Sequence, residues 1–341
     1  MPTSAIDVVS SAFEHAKNQL FRPFNLGQWV RLGIVGFLAG EMGYTGGCSY
    51  RSPLPPGSGG GGRSTAFIAQ ATLIRNPLFP LAVILLVLAG LVLFVAFMYV
   101  SSMMRFVLFD SVVSRECHVR RFWSRHMDSG IRYFLWQLAV GFIGFSGVGI
   151  LAGTAAIIGY SAGWLRSPRE HVIPLVLGGV IAIGALALWF VAFILVHVFT
   201  KDFVVPQMAL ENVGPLEGWR RLLQMMAAEK ARYAGYIGMK ILLMVAALIL
   251  MTIATIIVVL VYLIPTGILA LLAILIGKTI GLTWNPLTIG MSLMSGIVAL
   301  AFLIYLMLLL NVPPAVFFPA FSIYFLAARY PALDARLRLR L

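Results

Sequence analysis

Long apolar segments separated by short polar ones dominate the hydrophobic pattern of this 341-residue chain. A helix needs roughly 20 residues to cross the hydrocarbon core of a membrane, which is about 30 Å thick. Six segments reach or approach this length, and each predicts a transmembrane helix. They are residues 26–44, 78–99, 133–162, 172–199, 233–262 and 286–310.

A further apolar stretch follows the fifth of these segments. It begins near Pro265, is short, and contains Lys278. These features favour a re-entrant or interfacial helix within residues 263–285, and a seventh span is the alternative. A seventh span would place the basic tail of the chain on the other side of the membrane, which disfavours it.

The regions between the spans complete the expected organisation, an all-α polytopic bundle in one membrane domain, residues 1–341. Pro- and Gly-rich composition, typical of flexible segments, predicts an external loop within residues 46–77. The remaining parts are an amphipathic N-terminal helix in 1–25, basic cytoplasmic connectors at 105–132 and 201–232, and a basic cytoplasmic tail at 313–341.

The two connectors resemble each other and predict an internal repeat. An offset of 100 residues aligns two arginine pairs and two Arg-Tyr pairs, whereas Arg105 aligns with Asp202 at an offset of 97. The aligned pairs are Arg120-Arg121 with Arg220-Arg221, and Arg132-Tyr133 with Arg232-Tyr233. Repeats of this kind build many membrane folds.

Each connector, like the N-terminal segment, has the periodicity of an amphipathic helix. In the N-terminal segment the predicted apolar face consists of Ile6, Val9, Phe13, Ala16 and Leu20. Such helices lie in the membrane interface, and basic side chains beside them attract anionic lipid. The predicted lipid-headgroup contacts are Arg120, Arg121, Arg125, Arg220 and Arg221. The alternative is that these helices only cap the bundle.

Composition and charge agree with a membrane protein. The chain is 60% hydrophobic and 11% charged, whereas soluble domains are about 25% charged. The net charge of +13 raises nucleic acid as a partner, but membrane orientation explains a basic face without it. Of the 25 lysines and arginines, 18 fall on the side of both termini when six spans are assumed. This predicts cytoplasmic termini in a bacterial inner membrane.

Ionisable residues in or beside the spans are the functional candidates, because an unpaired charge in hydrocarbon costs several kcal/mol. They are Arg31, Glu41, His197, Lys240 and Lys278. Asp202 and Lys240 form an intramembrane ion pair if their helices are neighbours. Glu41 is expected at the outer interface. Histidines and cysteines lack metal-site spacing and no catalytic motif is assembled, so no metal, cofactor or enzymatic activity is expected.

Glycines in the third span indicate close helix packing, within the chain or between copies. They are Gly141, Gly144, Gly147, Gly149 and Gly153. The last two have the GxxxG spacing that lets helices approach closely.

One segment carries a family resemblance. The run from Asp202 to Pro206, followed by the run from Ala209 to Arg221, resembles a signature of uncharacterised bacterial six-span proteins. It is also similar to the membrane domain that precedes some glycerophosphodiester phosphodiesterases. Gly218 stands where that signature has alanine, and the catalytic domain is absent from this chain. The resemblance implies a fold and a membrane location but no activity.

Three functions remain as expectations. The first is a non-enzymatic scaffold or accessory subunit that contacts anionic lipid, a partner protein or a second copy. The second is a transporter or channel for a small solute or lipid, which requires a polar cavity within the spans. The third is a lipid-modifying enzyme, which requires clustered titratable groups around one pocket. The apolar centres of the predicted spans favour the first.

Overall fold

A computed structural model describes residues 5–22, 24–41, 78–164, 166–167, 169–281 and 285–338. Among these residues the secondary structure is helical, with no strand. Five of the described helical segments are long and apolar enough to cross a membrane. The predicted all-α membrane bundle is therefore confirmed. The predicted external loop at 46–77 lies outside the described residues.

The helices are numbered in chain order. The short ones are α1 (Ala5–Phe21), α2 (Leu26–Leu38), α4 (Val119–Arg125), α7 (Val205–Glu211), α8 (Pro215–Ala228), α11 (Val312–Ala327) and α12 (Pro331–Arg338). The long ones are α3 (Leu78–Ser114), α5 (Met127–Ser161), α6 (Val172–Phe199), α9 (Lys230–Thr279) and α10 (Pro286–Leu310). A π-helical turn, Thr200–Val204, joins α6 to α7.

Burial is concentrated at one end of the bundle, which we call the packed end. In α3 the residues from 80 to 96 are exposed, whereas Phe106 and the residues after it are buried. The short helices gather around the same end, and aromatic rings fill its core. The largest fully buried rings are Phe106, Tyr133, Phe203, Tyr233, Tyr236, Phe318, Phe321 and Phe325. The other halves of the long helices present apolar side chains outward, as lipid requires.

Both termini of the described chain lie at the packed end. α3, α6 and α10 run toward this end, whereas α5 and α9 run away from it. Glu41 also lies there, beside Lys201, whereas α3 begins at Leu78, about 40 Å of helix away from Arg105. Among the described residues, five helices are therefore candidates for crossing the membrane.

The first predicted span, residues 26–44, is not a spanning helix in the described structure. α2 has 13 residues, about 20 Å, and ends because Gly40 adopts a left-handed φ of +77°. The N–H of Gly40 donates to the carbonyl of Phe37, and the N–H of Glu41 donates to the carbonyl of Gly36. These two bonds form a Schellman motif, which favours glycine. A hydropathy profile contains no information about backbone conformation, so it does not show that the helix ends here.

The predicted re-entrant segment at 263–285 is also corrected. Residues 265–279 continue α9, which has 50 residues with Pro265 inside it. Proline has no N–H to donate, so the carbonyl of Val261, four residues back, loses its usual helical donor. Prolines are nevertheless tolerated within membrane helices, and α9 continues through Pro265 and reaches about 75 Å.

α1 packs against α11 with a different face from the one predicted. Val8, Ala12, Ala16 and Leu20 are buried, whereas Ile6 and Phe13 are exposed. The buried residues recur every four positions, so they form one stripe along the helix. The predicted face combined residues from this stripe with residues that point outward, and the outward ones remain available to lipid.

His15 lies on the buried side of α1. Its Nε2 donates to the carbonyl of Val112 at 2.9 Å, so Nδ1 of the neutral ring accepts from the hydroxyl of Tyr324 at 3.0 Å. Burial lowers the pKa of His15 below its usual value, despite the bond to Val112. The neutral imidazole thus links α1 to α3 and α11.

Close packing of α5 on α6 depends on two of the predicted glycines. A Cβ added to Gly144 would lie 2.5 Å from the Phe193 ring, and one added to Gly147 would lie 2.1 Å from the Trp189 ring. Nothing lies within 4 Å of the corresponding positions at Gly149 and Gly153. The GxxxG pair therefore faces open space, and the neighbouring glycines carry the helix contact.

Gly147→Ala is accordingly expected to destabilise the protein by about 1–3 kcal/mol, because the new methyl group displaces the Trp189 ring. The free energy of unfolding can be measured by titration with sodium dodecyl sulfate from mixed micelles. Gly149→Ala on the same helix is the matched control and should cost nothing, since alanine favours helix. Equal losses in the two variants would contradict the assignment of the contact to Gly147.

Candidate functional site

Six ionisable side chains lie where the apolar parts of the long helices meet the packed end. They come from α3, α6, α9, the π-helical turn and the end of α2. This set, which we call the charged layer, consists of Glu41, Arg105, His197, Lys201, Asp202 and Lys240. Charges at the edge of hydrocarbon are costly unless paired or hydrated, so their partners decide what the layer can do.

The π-helical turn directs two consecutive charges to different helices. The N–H of Val205 donates to the carbonyl of Thr200, five residues back. Pro206 follows and has no N–H to donate, which interrupts the regular helical ladder at this point. Lys201 then reaches the end of α2, and Asp202 reaches α9. Single π-helical turns occur frequently at functional sites.

Asp202 forms the ion pair that the sequence suggested. The Nζ of Lys240 donates to Oδ2 of Asp202, and the hydroxyl of Tyr236 donates to the same oxygen at 3.0 Å. Asp202 and Lys240 are each 3% exposed. The structure therefore brings these two predicted site residues together, in a place from which water is largely excluded.

Glu41 pairs with Lys201 instead of lying at the outer interface. The Nζ of Lys201 donates to Oε2 of Glu41 at 2.5 Å, and Glu41 is 2% exposed. The expected outer position is wrong because α2 stops at Gly40, well short of the other side of the membrane. Glu41 is consequently a member of the charged layer.

Arg105 has only neutral partners. Its Nε donates to the carbonyl of Ala39 at 3.2 Å, its Nη1 donates to the Tyr133 hydroxyl, and its Nη2 lies 3.4 Å from Nε2 of His197. Within the described chain, no carboxylate oxygen lies within 4 Å of this guanidinium. Arg105 thus brings a positive charge to the layer without an anion of its own.

A second group of cations lines an open cavity of about 570 Å³ between α2 and the start of α4. We call it the basic pocket, and its lining residues are Arg31, Cys117, His118, Val119, Arg120, Arg121 and Ser124. None of its three arginines has a carboxylate within 4 Å among the described residues, whereas His118 lies 3.6 Å from Glu116. Three guanidinium groups around one cavity suit a phosphate group.

The other predicted headgroup contacts are used differently. Arg221 donates to Glu211 at 2.5 Å and to Glu217 at 3.1 Å, and these hydrogen bonds raise its pKa further above the usual value. Arg220 is exposed and lies 3.9 Å from Glu217. Arg125 lies 3.8 Å from the buried Asp110. Only Arg120 and Arg121 of the predicted set therefore remain available in the basic pocket.

A comparison with protein families gives one match. A model described as a family of unknown function, DUF7544, matches residues 3–336. The chain belongs to the DUF7544 family. Comparisons with curated proteins and with solved structures give no match. These comparisons do not link the chain to the membrane domain that precedes some phosphodiesterases.

In this DUF7544 protein, sequence reasoning assigned neither Arg31 to the basic pocket nor Glu41 to the charged layer. Arg31 lies on α2, far in sequence from the connector, and no local pattern links it to Arg120. For Glu41 a signal exists, because Gly40 just before it is a typical helix C-cap residue. The backbone turn at such a glycine ends the helix, and it therefore fixes where the next residue, here the charged Glu41, is placed.

Two observations concern metal binding and thiol chemistry at these sites. Among the described residues, no three His, Cys, Asp or Glu side chains are grouped to hold a metal ion. Cys117 is buried in the wall of the basic pocket, and burial raises the pKa of its thiol, so the nucleophilic thiolate is disfavoured. The other polar side chains that line the pocket are those of Arg31, His118, Arg120, Arg121 and Ser124.

Proposed function

We propose that this protein is a non-enzymatic membrane scaffold or accessory subunit whose basic pocket binds the phosphate group of an anionic phospholipid. The observation that carries the proposal is the convergence of Arg31, Arg120 and Arg121 on one cavity without carboxylate partners. Arginine binds phosphate through paired N–H donors. A cavity of about 570 Å³ accommodates a phospholipid headgroup, and its opening admits the rest of the lipid.

The exposed face of α2 provides a place for an acyl chain. Ile34 and Phe37 are exposed and follow Arg31 at helical spacing, so the three share one face. Near the start of α2 the side chain of Gln28 donates to the carbonyl of Arg115, and at its end the carbonyl of Ala39 accepts from Arg105. Arg105 lies ten residues nearer the apolar part of α3 than Arg115. The face thus leads from the basic pocket toward the hydrocarbon, as a bound lipid requires.

The same proposal includes the membrane and its orientation. The short basic helices and both described chain ends lie together at the packed end, which supports a cytoplasmic packed end under the positive-inside rule. A bacterial inner membrane is the proposed location, since anionic lipid is available on that face. The resemblance of residues 202–221 to the membrane domain preceding some phosphodiesterases supports this as well.

The exposed apolar side chains of α8 support the scaffold part of the proposal. Leu216 and Leu223 are 73% and 56% exposed, on a helix that also carries the exposed Arg220. An amphipathic surface of this kind seats on a membrane or on a partner protein. The partner is a lipid surface, a protein subunit or a second copy of this chain.

Replacing the three pocket arginines by glutamine is expected to weaken phosphatidylglycerol binding by roughly 100-fold. Each basic residue near an anionic lipid contributes about 1 kcal/mol, and about 1.4 kcal/mol corresponds to a tenfold change in affinity. Native mass spectrometry of the purified full chain in a non-ionic detergent measures bound phosphatidylglycerol directly. Phosphatidylcholine serves as the zwitterionic reference.

The matched control replaces Arg166 and Arg169 by glutamine. Both are exposed and lie in the connection between α5 and α6, away from the packed end. This variant should bind phosphatidylglycerol like the wild type. If the triple variant also retained full affinity, or if the two lipids bound equally well, the basic pocket would not be the lipid site.

A second candidate, transport of a small solute or a lipid, is favoured by a different cavity. About 750 Å³ lies between α9 and α10, with hydroxyl side chains and one lysine in a mainly apolar lining. The polar members are Thr266, Lys278, Thr288, Ser292 and Ser295. Faster transbilayer movement of a fluorescent phospholipid in proteoliposomes than in protein-free vesicles would favour transport over scaffolding.

A further inference from the structure

The charged layer does not balance its own charges. Its cations are Arg105, Lys201 and Lys240, whereas its carboxylates are Glu41 and Asp202. Two close ion pairs use one cation for each carboxylate. One positive formal charge is therefore left over within the layer.

The surplus charge belongs to Arg105. Its contacts with Ala39, Tyr133 and His197 are all to neutral acceptors. A guanidinium group has five N–H donors, so the three contacts leave two donors without a partner among the residues that the structure describes. The nearest acidic residue on the same helix, Asp110, is held by His126 at 2.7 Å and has arginines 3.8 Å away.

Space for a small ligand lies next to Arg105. A cavity of about 30 Å³ is lined by the charged side chains of Glu41, Arg105, Lys201 and Asp202, together with Ser322 and apolar side chains. This volume holds about one ligand of the size of a water molecule. A phosphate diester with its two substituents is too large for it. Lys201 keeps further ammonium donors beyond the one given to Glu41.

We propose that the charged layer binds one small monovalent anion, of the size of chloride, between Arg105 and Lys201. The anion neutralises the surplus charge and accepts hydrogen bonds from both cations. Because Arg105 is half-buried and the side chain of Lys201 is 18% exposed, the site is reached from the edge of the packed end. The site is separate from the basic pocket, with which it shares no lining residue.

Equilibrium dialysis of the purified full chain with radioactive chloride tests this directly. Sodium gluconate keeps the ionic strength constant, because gluconate is too large for the cavity. Saturable binding of one chloride per chain is expected, together with a rise in the unfolding temperature that saturates over the same chloride range. Absence of saturable binding to the wild type overturns the proposal without any variant.

Two substitutions that change the net charge of the layer in opposite directions provide a second test. Arg105→Gln removes the surplus charge and should lower chloride affinity by at least roughly tenfold, whereas Glu41→Gln adds a surplus charge and should raise it. Arg166→Gln, an exposed arginine outside the layer, should leave binding unchanged, as should replacement of the three pocket arginines. Chloride binding that Arg105→Gln retains in full, or that the pocket variant loses, contradicts the assignment.

Discussion

Lys240→Met is expected to lower the free energy of unfolding by about 3–5 kcal/mol, the usual cost of removing one partner of a buried ion pair. The substitution keeps most of the side-chain volume but leaves the carboxylate of Asp202 buried without a cation. Only the hydrogen bond from Tyr236 remains of the two that reach this oxygen. Titration with sodium dodecyl sulfate from mixed micelles measures the loss.

Two variants separate the ion pair from other effects of the substitution. Lys278→Met changes the same residue type near the other end of the same helix, where Lys278 is exposed, and should cost little. Asp202→Asn combined with Lys240→Met removes both charges and should recover much of the loss, because no buried charge is left unpaired. A loss in Lys240→Met no larger than in Lys278→Met would show that the pair does not stabilise the fold.

The Asp202–Lys240 pair was predictable because each residue interrupts an apolar segment. A charge in such a segment needs a partner, and consecutive spans joined by a connector place their adjoining ends on one side of the membrane. Asp202 ends one span and Lys240 lies about two turns into the next. Polarity and chain order were sufficient to suggest the pair, and the structure supplies the remaining condition, that the two side chains are neighbours.

The pair between Glu41 and Lys201 was not predictable in this way. The apolar run that contains Glu41 continues to Tyr44 in the sequence, so hydropathy extends the helix past its real end. The end is set by the left-handed backbone of Gly40 and two hydrogen bonds. Conversely, Pro265 indicated a break, yet α9 continues through it. Both errors arise because hydropathy contains no backbone geometry.

The position of the core could likewise not be predicted from hydropathy. Phe145 and Phe203 are equally apolar, yet Phe145 is 82% exposed and Phe203 is fully buried. In a membrane protein apolar side chains face lipid as readily as they face the core. The internal repeat stays a prediction, but the aligned segments make the same ring contact: Phe106 meets Tyr133 edge-on at 5.8 Å, and Phe203 meets Tyr233 edge-on at 5.5 Å.

Phe203→Ala is therefore expected to destabilise the protein by about 3–5 kcal/mol, the range for removing a buried aromatic side chain. Its ring packs on Phe199, Tyr233, Tyr236 and Phe325, with centroid distances of 5.0 to 5.9 Å. The same detergent titration measures the loss.

Phe106→Ala, at the aligned position, should cost a similar amount, because that ring is also fully buried, between Tyr133 and His126. Phe145→Ala should cost little, since detergent or lipid contacts the ring in both the folded and the unfolded chain. If Phe145→Ala were as costly as Phe203→Ala, the stabilising contacts would extend along the whole bundle. A large loss at both Phe106 and Phe203, with none at Phe145, instead places the stability of the fold at the packed end, where the charged layer and the basic pocket also lie.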